Sequence, residues 1–246
     1  MIWRMASLLA LLLLWQAGSW LAGERLLPSP ETVLFALVDE ARSGALALNL
    51  AATLARVAAA FALAMSAGAA TGYAMGRSAG LDRFADPWLI LLLNIPALVI
   101  IVLAYVWFGL TEAAAVGAVA INKLPNTIVT LREGARALDP ALDEMGRAFA
   151  FSRQTRMRHV VVPQLAPYLA AASRTGLSLT WKIVLVVELV GRPNGVGFAI
   201  ATAFQLFDVA RILAYALCFV VVMLAVETWM VQPFERRASI WRSGPG

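Results

Sequence analysis

Six long apolar stretches leave this 246-residue chain few ways to fold. They fall at about Met5–Ala22, 46–76, 86–108, 112–131, 167–190 and 212–231. A helix needs roughly 17–25 apolar residues to cross a bilayer, and backbone exposed to lipid must satisfy its own hydrogen bonds. The expected fold class is therefore all-α: a polytopic membrane protein with about six transmembrane helices. Hydrophobic residues make up 61% of the chain and charged ones 14%, against a roughly 45–50% apolar share in soluble domains.

The first stretch has a second reading, a cleaved signal peptide. It is longer than a typical signal core, and Trp20 stands where a cut after Ala22 needs a small residue. It is read as the first span, with Arg4 holding its start in the cytoplasm. Beyond Pro28 and Pro30 comes an amphipathic piece, Glu31–Ala41, whose Val33, Leu34, Leu37 and Val38 share a face. That pattern predicts a helix lying along the membrane surface.

Within the spans, Gly68, Gly72 and Gly76 recur every fourth residue, the small-residue seam that lets membrane helices approach closely. Asn94 and Pro96 predict a kink in the third span that faces protein. Lys123 lies inside the fourth, where a charge costs about 2.5–3.5 kcal/mol on insertion scales and so faces the bundle interior or a wet cavity. Gly191–Arg211 is expected to be a polar return between the last two spans.

Arginine placement orients these spans. With a cytoplasmic amino terminus, inside segments hold Arg4, Arg77, Arg83, Arg132, Arg136, Arg147, Arg153, Arg156, Arg158, Arg236, Arg237 and Arg242, and outside segments hold Arg25, Arg42, Arg192 and Arg211. Twelve against four satisfies the positive-inside rule. Both termini and the polar stretch after the fourth span are then cytoplasmic.

That stretch, Asp139–Pro163, is the most distinctive polar text in the chain. Asp139–Pro140 is a helix start, since Asp accepts from first-turn amides and Pro needs no partner there. Met145, Ala148, Phe149 and Ser152 share one face, and Ser152 caps a second short helix, Arg153–His159, ending at a valine run and Pro163.

The spacing resembles the EAA motif of permease subunits in binding-protein-dependent, type I ABC importers. Glu144, Met145 and Gly146 take the EAA places, Val160 and Val162 the aliphatic ones, and Pro163 closes the motif. Ala150 stands where the family has a Gly that turns with positive φ. Further stretches resemble the nitrate, sulfonate and taurine branch: Leu27–Pro28–Ser29–Pro30, the 49–76 segment with Arg56, Val187–Glu188–Leu189, and Asn194–Gly195–Val196–Gly197–Phe198.

The resemblance implies an inner-membrane permease fold and function, importing a small solute, an anion such as nitrate, a sulfonate or bicarbonate. A periplasmic or lipid-anchored binding protein would deliver it. Glu144, Gly146, Ala150, Ser152, Arg153, Arg156, His159 and Pro163 would then seat a coupling helix on a cytoplasmic ATPase subunit, with Glu144 anchoring the helix before it by pairing with Arg147 or a partner's base, and a second permease copy would complete a homodimer in membrane lipid.

The implied layout is a single transmembrane domain over 1–246. Residues 1–45 give the first span and a periplasmic amphipathic helix, 46–232 a five-helix core with coupling loop 132–163, and 233–246 a cytoplasmic tail.

Candidate path residues are Lys123 and Thr127 on the fourth span, and Ser178, Lys182 and Glu188 on the fifth; Arg174, Ser178 and Lys182 recur every fourth residue on one helical face. The plainer alternative has Arg174 snorkelling to the interface and Lys182 pairing with a carboxylate such as Glu112.

No GxxxxGK[ST] occurs, so ATP binding, if ATP is involved, must be supplied by another chain; the resemblance implies a transport subunit and not an enzyme. One Cys (Cys218) and one His (His159) exclude an internal disulfide and a clustered His/Cys metal site; no cofactor or nucleic-acid partner is expected. Two other classes fit the residues less well. An ion-coupled secondary transporter calls for internal repeats and broken helices, and no convincing repeat is present. An intramembrane enzyme built on Ser178 lacks a base, because His159 falls in the central loop.

Overall fold

A computed structural model describes residues 2–231. The basic tail, with Arg236, Arg237 and Arg242, lies outside the described residues, among which every regular element is helical. In order these are α1 (Ile2–Ala22), α2 (Pro30–Arg42), α3 (Ala45–Arg77), α4 (Ala79–Asn94), α5 (Ala97–Phe108), α6 (Glu112–Arg136), α7 (Pro140–Ala148) and α8 (Arg153–Arg156). A π-helical turn (Met157–Val161) leads into α9 (Val162–Gly191), followed by α10 (Val196–Gln205), α11 (Val209–Val226) and a second π turn (Glu227–Val231).

Helices α1, α3, α6 and α11 are each long and apolar enough to cross a membrane. Two bent pairs, α4 with α5 and the 153–191 helix with α10, raise the number to six if each pair is one span.

Three expectations change. The third span is not a kinked rod: α4 and α5 meet at 98°. Proline disfavours helical backbone in the residue before it, and Ile95 is extended at φ −75°, ψ 125°. The amide of Asn94 donates to the Ile90 carbonyl at 2.7 Å, occupying an acceptor near the broken end. The 191–211 return is not merely polar, since ten of its residues form the apolar helix α10. Nor does Pro163 end a helix. The chain stays helical from Arg153 to Gly191, because the wider π turn just before Pro163 absorbs the crowding and lost amide bond that proline brings to an α-helix.

The chain divides into two compact units, and α3 and α9 contribute to both. The first contains Met1–Ala55 and Leu185–Leu224. In it, Trp15 donates its indole N–H to the Pro28 carbonyl at 3.0 Å, tying α1 to the turn before α2. The leucines of α1 from Leu8 to Leu14 are exposed, as suits a lipid-facing helix. Ser29 caps α2 by accepting from the Thr32 amide, with Pro30 in the first turn. Val33 is buried, while Leu34 and Phe35 point outward.

The second unit begins at Arg56 and is organised around α6, the span-length helix most enclosed by its neighbours. The glycine seam packs α3 against it. A Cβ on Gly68 would stand 2.7 Å from Thr127, one on Gly72 2.6 Å from the Ile128 carbonyl oxygen, and one on Gly76 2.6 Å from Ala135. The obstacle at Gly72 is backbone, which cannot rotate aside. Gly72→Ala is therefore expected to cost about 1–3 kcal/mol, the range for overpacking, seen as a lower thermal midpoint of the purified protein in detergent. At one end of α6, Arg132 pairs with Asp82 at 3.3 Å and with Asp86, and Arg136 reaches Asp82, so charged pairs fasten α4 to α6.

Candidate functional site: the central loop, a buried elbow and a polar helix face

The central loop begins as its sequence predicts. Asp139 accepts from the Ala141 amide at 2.8 Å, and Pro140 opens α7. Its end is less ordinary. Ala150 has φ +50°, its amide donates to the Arg147 carbonyl at 3.0 Å, and the next amide, of Phe151, donates to the Gly146 carbonyl at 2.9 Å. These two bonds form the Schellman ending, with alanine in the left-handed position glycine usually takes. Gly146 is buried beneath Phe151 and Arg156, and a Cβ there would sit 3.6 and 3.7 Å from them. A left-handed alanine costs roughly 1–2 kcal/mol, partly offset by glycine's greater freedom when unfolded. Ala150→Gly should thus gain about 0.5–1 kcal/mol, read as a higher thermal midpoint.

Ser152 caps α8 by accepting from the Thr155 amide at 3.1 Å, and Arg153 follows as its first residue. His159 is exposed and its ring Nδ1–H donates to the Thr155 carbonyl at 3.1 Å. The loop is tied at both ends through Gln164, whose side chain accepts from the Asp139 amide at 2.9 Å and donates to the Val160 carbonyl at 3.0 Å.

Glu144 does not pair with Arg147. That arginine reaches Asp143, one turn back, at 2.9 Å, and Arg156 and Arg77 approach the same carboxylate at 3.5 and 3.8 Å. Asp143 is thus the charge centre of the loop, which the sequence reading missed. Its i,i+4 spacing to Arg147 was the readable signal. Glu144 stays exposed and helps line an open cleft of about 450 Å³ with Tyr73, Arg77, Asp143 and Arg156. The apolar face of α7 is turned out rather than packed: Phe149 is 71% exposed, Met145 is also exposed, and the rings of Phe149 and Phe151 lie 6.3 Å apart.

A second constellation lies in the first unit. Glu188, 1% exposed, accepts from the Thr53 hydroxyl at 2.9 Å and from the Gly197 amide at 2.9 Å. Thr53 in turn accepts from the Val196 amide at 2.8 Å, and the Asn49 side-chain oxygen accepts from the Gly195 amide at 2.9 Å. Three successive amides at the start of α10 are therefore satisfied by side chains of α3 and α9, and the Glu188 carboxylate also meets the positive end of the α10 dipole. Gly195 has φ +112°, and a Cβ there would collide with the Glu188 carboxylate. This buried elbow also escaped the sequence reading, although Asn49 and Thr53 stand at i,i+4 on an apolar helix.

The remaining candidate path residues separate into two kinds. Lys123, 1% exposed, donates to the Thr127 hydroxyl and the Ala172 carbonyl, each at 3.1 Å, and lies over the Phe61 ring at 5.4 Å. Thr127 is fully buried. Gly176 supplies the space for Lys123, since a Cβ there would overlap the lysine side chain. Together these contacts brace α6 against α9. By contrast Arg174, Ser178 and Lys182 are all exposed along one face of α9, with the Lys182 ammonium 5.6 Å from the Trp181 ring. Lys182 does not pair with Glu112, whose carboxylate is taken by Arg56 at 2.7 and 2.9 Å.

An all-helical chain with helices long and apolar enough to cross a membrane, joined by an exposed, charged loop, defines a polytopic membrane protein. Residues 41–239 match the binding-protein-dependent transport system inner membrane component family, and the chain belongs to it. It is similar to SsuC of Escherichia coli (strain K12), a permease named for aliphatic sulfonates, with 35% identity covering 82% of this chain and 80% of that one. It is also similar to the riboflavin transport system permease protein RibX of Chloroflexus aurantiacus, with 37% identity covering 82% and 76%. The bicarbonate transport system permease protein CmpB of Synechococcus elongatus is 26% identical over 82% of this chain and 76% of its own. Among solved structures, the chain has the fold of an amino acid ABC transporter crystallised with histidines, with a TM-score of 0.61 and 21% identity, covering 82% of this chain and 97% of that one.

The protein is accordingly an inner-membrane permease subunit of an ABC importer, a transport component rather than an enzyme. Its partners are an ATPase subunit and a substrate-binding protein.

Proposed function

We propose that the chain carries a small anion, such as nitrate, a sulfonate or bicarbonate, across the membrane as a homodimer with both termini cytoplasmic. The observation that carries this reading is the exposed face of α9. Arg174, Ser178 and Lys182 lie along a span-length helix where hydrocarbon cannot solvate them, so the face belongs against water and a second copy. Its positive charge favours an anionic solute. SsuC and CmpB, named for sulfonates and bicarbonate, support the same chemistry. In this reading Ser178 and Lys182 contact the path, Lys123 and Thr127 brace its wall, and Glu188 holds the elbow beside α10.

Residues 132–163 form the cytoplasmic coupling loop of one transmembrane subunit. Glu144, Gly146, Ala150, Ser152, Arg153, Arg156, His159 and Pro163 shape it, and the exposed Phe149 and Met145 are the apolar surface that an ATPase groove covers. ATP-driven closure of two ATPase subunits brings two such loops together and switches the spans between inward-open and outward-open.

The test is uptake by proteoliposomes holding the permease, its ATPase and its binding protein. ATP-dependent accumulation of one of these anions, competed by the others, is the expected result; accumulation of riboflavin but of no anion would overturn the substrate assignment.

A further inference from the structure

The elbow at the start of α10 is connected to α2 by a short run of side chains in the first unit, and the direction of each hydrogen bond in it is fixed. Glu40 is buried on α2, where Arg211 pairs with one of its oxygens at 2.7 Å. Its other oxygen stands 2.6 Å from the Tyr215 hydroxyl. An ionised carboxylate only accepts, so the tyrosine must donate its single proton there. The hydroxyl oxygen can then only accept from Asn49, 3.0 Å away, and this turns the amide nitrogen of Asn49 toward Tyr215. The Asn49 oxygen is left facing the Gly195 amide, which it caps at 2.9 Å.

Gly195 has no easy substitute for that acceptor. Its neighbours Val196 and Gly197 already take Thr53 and Glu188, and the position admits no side chain. Were the Asn49 amide to turn over, its nitrogen would face the Gly195 N–H and two donors would meet. The Gly195 N–H itself disfavours this, and the tyrosine hydroxyl adds a second constraint while its proton is directed at Glu40.

We propose that Tyr215 is a positioning residue for transport. Its hydroxyl, polarised by Glu40, orients the Asn49 amide that caps Gly195, so the placement of α2 governs the order of the α9–α10 elbow. The transport part of this proposal rests on the importer reading above. In that topology α2 and α10 lie on the outer side, where the binding protein delivers solute, so a displacement of α2 is passed to α10 through this one amide.

Tyr215→Phe keeps the ring that packs in the core and removes only the hydroxyl. Hydrogen exchange of the purified permease in detergent is measured first, because it requires no partner. The Gly195–Gly197 amides should exchange about fivefold faster in the variant, the effect of losing one neutral hydrogen bond, while α3 and α11 keep their protection. In proteoliposomes with ATPase and binding protein, uptake should fall about fivefold with basal ATP hydrolysis unchanged. Glu40→Gln also breaks the Arg211 pair, so it is read only at the Gly195 amide, which should exchange no faster in the double variant than in Tyr215→Phe alone, since both reach that amide through Asn49.

Unchanged exchange at Gly195, or single effects on that amide that add in the double variant, would overturn the role of Tyr215. Full-rate uptake by Tyr215→Phe in a complex whose unaltered form transports would do the same and leave the importer reading standing. If the unaltered complex shows no ATP-driven uptake, the importer reading fails with the transport role of Tyr215, while the exchange result still decides whether the hydroxyl orders the elbow.

Discussion

Glu188→Ala is expected to destabilise the folded protein by about 3 kcal/mol and to abolish uptake. The carboxylate is buried and accepts from the Gly197 amide and the Thr53 hydroxyl. When it is removed, Thr53 can re-aim at the Asn49 carbonyl 3.0 Å away, but the Gly197 amide has no such recourse. An unsatisfied buried donor costs about 1–3 kcal/mol, and the cavity left by the lost side chain adds to it. The favourable charge at the start of α10 disappears as well. Glu188→Gln should be milder, about 1 kcal/mol for a weakened bond, because its amide oxygen can still accept from Gly197. Thermal unfolding in detergent separates the two variants. A Glu188→Ala protein as stable as the original would contradict the elbow as described.

The second large effect is expected at Arg156. Arg156→Glu should leave the protein inserted in the membrane, at near-normal amount, while lowering ATP-driven uptake more than tenfold. Arg156 is partly exposed and stands 3.5 Å from Asp143, with Glu144 lining the same cleft. Reversal would place a third carboxylate among these groups. Asp143 retains Arg147 and Arg77, so the loop keeps its fold. On the proposed docking, what changes is the charge and shape of the face offered to the ATPase, where a reversed charge would repel groups suited to an arginine. Uptake by vesicles and copurification of the ATPase are the two readouts, with Arg156→Lys as the control that keeps the charge. Normal uptake by an inserted Arg156→Glu protein would sink the docking assignment.

Some of this was legible in the residues. The glycine seam at Gly68, Gly72 and Gly76 followed from spacing alone, because residues four apart share a helix face whatever lies opposite. The caps at Asp139 and Ser152 were equally local, each involving amides within three residues. Pro96 announced a break, but its angle was not legible: residue 95 must leave helical geometry, and where the chain then goes depends on what α5 packs against. Pro163 was read as a stop because the π turn that accommodates it leaves no clear mark in composition.

Partnerships across the fold were the harder part. Nothing in the order of residues says that Glu112 belongs to Arg56 and not to Lys182, or that Arg77 and Arg156 approach Asp143. Asn49, Thr53, Glu188 and Tyr215 are scattered through the text and meet only once α3, α9, α10 and α11 have packed.

By itself, the sequence determined the helical class, the approximate spans, the glycine-lined face of α3, the short helix α7 and the family to which the chain belongs. The first four follow from periodicity, run length or spacing within a few residues, where the chemistry of the chain acts on its own neighbours, and the family follows from the resemblance of its motifs. The tertiary structure alone decided the 98° break between α4 and α5, the approach of Arg77 and Arg156 to Asp143, and the buried elbow around Glu188. The reason is physical: in a membrane interior with little water, each buried polar group must find a partner within about 3 Å, and packing brings that partner from a distant part of the chain.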